Sequence, residues 1–226
     1  MFTRKYLLCE TLCHSVVNPP NNFKTMNNEI NTLNRQKGAI LLLDNYDSFT
    51  YNLLHVVKEQ GVTDIEVFRN DEITLDEVER FDKIILSPGP GIPEEAGDMP
   101  ALIDQCKHTH PILGICLGHQ AIAENFGARL QQLTSPRHGH SSPLNITDPG
   151  DPLFRQIPPG TPIGRYHSWV IDPAGLPACL KISSLDEEGH IMSFYHASLP
   201  IHGLQFHPES IITRHGRQII ENWLAE

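Results

Sequence analysis

From residue 39 the chain alternates short, unbroken apolar runs with segments of helical periodicity, and that pattern leaves few architectures open. "AILLLD" (39–44) is followed by "TYNLLHVVKEQ" (50–60), which carries Leu53, Leu54 and Val57 at helical spacing and stops at Gly61. "DIEVF" (64–68), "KIILS" (83–87) and "PILGIC" (111–116) read as three more buried strands. Helical segments are predicted near 74–80, 98–108 and 117–126. Runs that are apolar throughout, rather than at every second residue, belong to strands covered on both faces. The pattern therefore predicts an α/β domain: a three-layer, open, mostly parallel sheet with helices on both faces. After Gly127 the runs shorten and alternate between Pro- and Gly-rich connections ("SPLNIT", "ACLKISS", "HIMSFYH", "IHGLQF"), which predicts a mixed or antiparallel extension of the same sheet. A last helix is expected over about 213–224, with Thr213 as its cap and Ile219, Ile220 and Trp223 on its apolar face.

The 226 residues suffice for one such domain, assigned to 38–226. Residues 1–37 include an Asn-rich stretch with Pro19 and Pro20, lack the apolar core of a secretory signal, and read as a disordered extension. With 17 Lys+Arg against 27 Asp+Glu and no basic patch, the net charge of −10 argues against nucleic acid as a partner. No apolar run is long enough to span a membrane. The five cysteines are scattered without a C-x-x-C pair, as expected of reduced thiols in a cytoplasmic protein.

Cys116 stands out from that background. A cysteine ending an apolar strand is ordinarily core filling, yet Gly114-Ile115-Cys116-Leu117-Gly118 places it between two glycines at a strand-to-helix junction, the spacing of a nucleophile elbow. Amides at a helix N-terminus favour a thiolate and an oxyanion, and Leu117 N–H is the natural first donor. Among 13 histidines, His207 in "GLQFHPES" is set apart by Pro208, which favours an extended backbone from which Glu209 reaches the same side. Cys116, His207 and Glu209 make a complete nucleophile, base and orienting carboxylate. A second oxyanion donor is expected from "LSPGPGIPEEAG" (86–97), where glycines between prolines let ligand and backbone approach closely. The competing metal reading rests on His108/His110 and His138/His140, which lack the neighbouring cysteines or carboxylates of zinc sites, so no metal is expected.

With "GICLGHQ" and "QFHPES" together, residues 39–225 resemble the class I, triad-type glutamine amidotransferases. "LLLDNYDSFTYNL", "SPGPGIPEEAG" and "GRYHS" narrow the likeness to the glutaminase subunits of anthranilate synthase and aminodeoxychorismate synthase. The resemblance implies that Cys116 attacks the side-chain amide of L-glutamine and that His207 and Glu209 complete the triad. It implies Gly89 and Leu117 amides as the oxyanion hole, and Gly89, Pro90, Gly91, Gln120, Ser168 and Trp169 around the glutamine. It implies a flavodoxin-like fold, a synthase partner that consumes the ammonia, and no cofactor in this chain, Mg2+ being the partner's requirement. Tryptophan biosynthesis is the expected pathway, with folate biosynthesis or a free-standing cysteine hydrolase as alternatives. Loops 44–50 and 90–97 are the expected docking face. The chain departs from the family pattern at His140, where a lysine is usual, and at Trp169, where a leucine is usual.

Overall fold

The structure is a computed structural model that describes residues 38–226. The expectation for residues 1–37, and with it Cys9 and Cys13, lies outside the described residues.

Eight strands form one sheet, in the spatial order 65–69, 40–44, 83–86, 112–115, 201–204, 191–196, 180–185 and 145–146. The strands β1 (Ile40–Asp44), β2 (Ile65–Arg69), β3 (Lys83–Leu86), β4 (Ile112–Ile115) and β12 (Ile201–Leu204) are mutually parallel. Beyond them β11 (Ile191–His196), β10 (Leu180–Leu185) and β7 (Asn145–Ile146) continue the sheet antiparallel. Two ribbons lie apart from it: β5 (Leu130–Gln132) with β9 (Trp169–Ile171), and β6 (His140–Pro143) with β8 (Pro162–Arg165).

The apolar runs divide their side chains between two cores. Ile40 and Leu42 of β1 pack with α1 (Thr50–Glu59) and α5 (Gly216–Leu224) through Leu53, Val57, Ile219, Ile220 and Trp223. Leu41 and Leu43 point the other way, into a core shared with α2 (Leu75–Val78), α3 (Met99–Cys106) and α4 (Leu117–Asn125). Each fully buried Leu or Ile contributes about 1.5–3 kcal/mol, and both faces of β1 collect it because helices cover both. That is the physical content of an unbroken run.

One local expectation is overturned. The last helix starts at Gly216, not at 213, and its N-cap His215 makes no side-chain cap bond. Thr213 serves elsewhere: its Oγ1 donates to His207 O at 2.6 Å and accepts from Gly164 N at 2.9 Å. A residue read as a helix cap instead braces a site histidine.

Candidate active site

Strand β4 ends at Ile115, and the next residue, Cys116, has φ 52° and ψ −100° before α4 begins at Leu117. A non-glycine in that region costs about 1–3 kcal/mol and persists only where its surroundings hold it. Here Cys116 N donates to Leu204 O at 2.8 Å, and Cys116 O accepts from Gln120 N at 3.1 Å. The flanking glycines are required by contact: a Cβ on Gly114 would lie 2.5 Å from the Gly118 carbonyl, and one on Gly118 would lie 2.6 Å from Leu86 Cβ and O. Helix α4 thus enters against β3 and β4 at backbone distance, with Cys116 at the corner and its first amides beside the thiol.

His207 follows β12, the strand paired with β4, so the sheet sets the thiol and the ring side by side. Its Nδ1 is 2.7 Å from Glu209 Oε1, and both side chains are buried. The segment is not extended, as the sequence suggests, but turns: Ser210 N donates to His207 O at 3.2 Å. The turn, held by Thr213, brings Glu209 under the ring. Phe49 and Tyr166 meet the imidazole edge-on, with centroids 5.5 and 4.9 Å away, and help to keep it nearly buried. Burial works against a charged ring here. The Cys116 sulfur and the Glu209 carboxylate outweigh it and raise the His207 pKa. With Nδ1 engaged by Glu209, Nε2 is the nitrogen that meets the sulfur. It is buried and makes no complete hydrogen bond. Asp47 lies near the ring, its pKa raised by burial against the pull of the Phe49 amide and the His207 charge.

The loop from 87 to 91 is pinned by the loop after β1. Asn45 N donates to Ser87 Oγ and Asn45 Nδ2 to Ser87 O, both at 2.9 Å. Gly89 is wedged there: a Cβ would come within 2.6 Å of Asn45 Cβ and 2.7 Å of Leu117 Cδ2. Gly91 has φ 77°, which favours glycine. Two clefts meet at Cys116. The first, about 260 Å³, brings together Gly89, Pro90, Gly91, Gln120, Ser168 and Trp169 with the thiol, every pocket residue expected from the sequence. The second, about 380 Å³, opens on the other side past Tyr46, Asp47, Phe49 and His207.

The sequence motifs assign no role in the cleft to several side chains that reach it. Fully buried Gln205 donates to Cys116 Sγ (3.7 Å) and accepts from Gln120 Nε2 (3.1 Å), which also donates to Trp169 O (2.9 Å). His138, considered above as half of a metal pair, lines both clefts. Among the described residues neither His-x-His pair joins a third metal-type ligand; the one group with suitable spacing is Asp186, Glu188 and His190, where Asp186 is already ion-paired to Arg165.

The model of the family described as glutamine amidotransferase class-I matches residues 41–226. The chain is 45% identical over 188 residues to anthranilate synthase component 2 of Azospirillum brasilense, covering 82% of this chain and 94% of that protein. It is 44% identical over 187 residues to aminodeoxychorismate synthase component 2 of Klebsiella aerogenes, covering 82% and 98%. Among solved structures, a putative GMP synthase subunit from Thermoplasma acidophilum superposes with a TM-score of 0.74 at 30% identity, covering 82% of this chain and 92% of that one.

Proposed function

The chain belongs to the class I glutamine amidotransferases, and from that premise we propose that it is the glutaminase subunit of a chorismate-aminating synthase. The observation that carries the reading is the left-handed Cys116 at the N-terminus of α4, beside the buried His207–Glu209 pair and at the meeting of two clefts.

Glutamine occupies the cleft of Gly91, Gln120, Ser168 and Trp169, its side-chain amide over the sulfur. Cys116 attacks the amide carbon, and its proton passes to His207. The Gly89 and Leu117 amides receive the negative oxygen of the tetrahedral intermediate, which is where such donors count most. The intermediate collapses as His207 returns the proton to the departing nitrogen, releasing ammonia and leaving a glutamyl thioester. Water, deprotonated by His207, then frees glutamate and restores the thiol. Glu209 holds the ring and stabilises its charged form throughout. Ammonia leaves through the second cleft, past Tyr46, Asp47 and Phe49, into a synthase docked over that face.

Anthranilate is the first expected product and aminodeoxychorismate the second reading, which the near-equal identity to relatives named for each keeps open. Reconstitution with an anthranilate-type and an aminodeoxychorismate-type synthase, followed by product identification, separates them. The chemistry itself is tested by Cys116→Ser: glutamine turnover should vanish with fold and synthase binding intact. A glutamine-mimicking diazoketone should label the wild type at Cys116. Label on Cys106 or Cys179 instead would refute the assignment.

A further inference from the structure

Arg165, the last residue of β8, is fully buried with its Nη1 2.6 Å from Asp186 Oδ2, and that carboxylate is buried as completely. A pair of this kind contributes little net stability, because taking two charges out of water offsets most of their attraction; apolar replacements of similar volume are often neutral or better. What the pair does lies in the remaining contacts of the guanidinium.

Arg165 Nε donates to His167 Nε2 at 3.2 Å. Arginine can only donate, so Nε2 must accept and the neutral ring carries its hydrogen on Nδ1. That Nδ1–H lies 3.0 Å from Trp169 O. The same carbonyl takes Gln120 Nε2 on its other lone pair. His167 O accepts from Arg137 N at 2.9 Å and Ser168 O from Leu133 N at 2.8 Å, so all three carbonyls of 167–169 are held on one wall of the Cys116 cleft. Burial, helped by the Arg165 charge, pushes the His167 pKa down to about 3, so the ring stays neutral at any working pH, as one accepting and one donating nitrogen require. Asp186 is fixed in turn by the amides of Glu188 and His190 (2.9 and 2.7 Å) and by His190 Nδ1 (2.8 Å).

We propose that the Arg165–Asp186 pair is a positioning device for the glutamine cleft: Arg165 selects the Nδ1–H tautomer of His167, which fixes the 167–169 backbone against which glutamine rests. The inference rests on the glutaminase reading and adds two residues outside the cleft, and a tautomer within it, to the substrate-binding machinery. Neither Arg165 nor Asp186 touches substrate.

The test uses the full-length chain with two reagents for Cys116, the glutamine-mimicking diazoketone and iodoacetamide, alongside thermal melting. In Arg165→Met/Asp186→Asn, whose Oδ1 still accepts from the Glu188 and His190 amides, the melting temperature should stay within a few degrees and iodoacetamide labelling within about twofold, whereas diazoketone labelling at sub-saturating concentration should fall about tenfold or more. A folded double variant that labels like the wild type overturns the proposal. Independently, His167→Asn, whose amide nitrogen stands where Nδ1 does, should keep diazoketone labelling within about threefold, while His167→Leu should lose about tenfold. Equal behaviour of these two overturns the tautomer argument, and the comparison decides alone if the double variant does not fold. Wild type that takes iodoacetamide but not the diazoketone would instead refute the glutaminase reading, and this inference with it.

Discussion

Adding one methyl group at Gly118 separates the nucleophile from its oxyanion donors without touching either. The new Cβ would sit 2.6 Å from Leu86 Cβ and from Leu86 O, where ordinary contact begins at 3.4 Å, so the start of α4 must retreat from β3 by nearly an ångström. It cannot tilt toward β4 instead, because the Gly118 carbonyl already lies where a side chain on Gly114 would be. Overpacking of this kind costs about 1–3 kcal/mol, from which the stiffer unfolded chain of an alanine variant returns up to about 1. From the middle of that range a net loss of about 1–1.6 kcal/mol remains, which lowers Tm by roughly 2–6 °C in a domain of this size. The effect on catalysis should be larger, because the Leu117 amide moves with the helix while Cys116 stays tied to Leu204. Misplacing such a donor by an ångström costs about 100-fold in turnover. Scanning calorimetry gives the first quantity, glutamine turnover with the synthase the second, and iodoacetamide labelling confirms that the thiol remains present and reachable. A Gly118→Ala protein with unchanged Tm and turnover within about twofold would show that α4 floats on the sheet and that close packing does not place its amides.

His207→Ala should cost about 10²–10⁴ in turnover and Glu209→Gln less, since the ring moves protons and the carboxylate orients it; negligible losses in both would leave Cys116 with another base. Burial holds His119 and His167 neutral with pKa values of about 3. The unfolded chain binds those protons below about 6.5 and the folded chain does not. The stability they contribute is therefore complete above that value and is lost as pH falls toward 3, by roughly 2 kcal/mol per histidine at pH 5. Urea midpoints at pH 7 and pH 5 measure the loss, and His167→Asn should remove about half of it; a flat midpoint would mean that these rings are protonated in the fold. For the docking face, Pro93 is buried and a charge there would report folding, so the exposed Glu94 and Tyr46 are the proper probes. Glu94→Arg and Tyr46→Asp should weaken synthase binding about tenfold or more in a titration while leaving Cys116 labelling by iodoacetamide intact, and unchanged affinity in both would move the interface elsewhere.

The parallel half of the sheet was legible because each strand had to bury both faces and each helix one, and those demands write different periods into the sequence. Cys116 was legible for a related reason: a left-handed corner packed at backbone distance leaves only glycine at 114 and 118, so the geometry is spelled out within five residues. Asp186 lies in no such motif, and the motifs that contain Gln205 and Arg165 show that those residues are present without showing what they touch. Their partners lie 89 residues away for the sulfur contact and across two elements for the ion pair, and nothing periodic links a buried amide to the thiol it faces. Thr213 and the 207–210 turn were misread because Thr before a helix and His before Pro are strong local signals, and tertiary contacts overrode both.

The site thereby divides into two parts with different supports. Strain at Cys116 is held locally, by strand pairing and two glycines, so the nucleophile's position does not depend on what fills the cleft. The 167–169 wall leads into a ribbon outside the main sheet, anchored in the core by Ile171, and its carbonyls are held by hydrogen bonds traced back through His167 and Arg165 to the turn at 186–190. Gly89 hangs on a third support, the Asn45–Ser87 bonds, at the edge of the loop assigned to docking. A synthase that covers Tyr46 and Ser48 bears directly on Asn45, and through it on one oxyanion donor, without disturbing the thiol or the glutamine wall. Coupling through Asn45 should therefore appear in turnover, whereas any change in glutamine affinity must come through Pro90 and Gly91, which line the glutamine cleft from the docking loop 90–97.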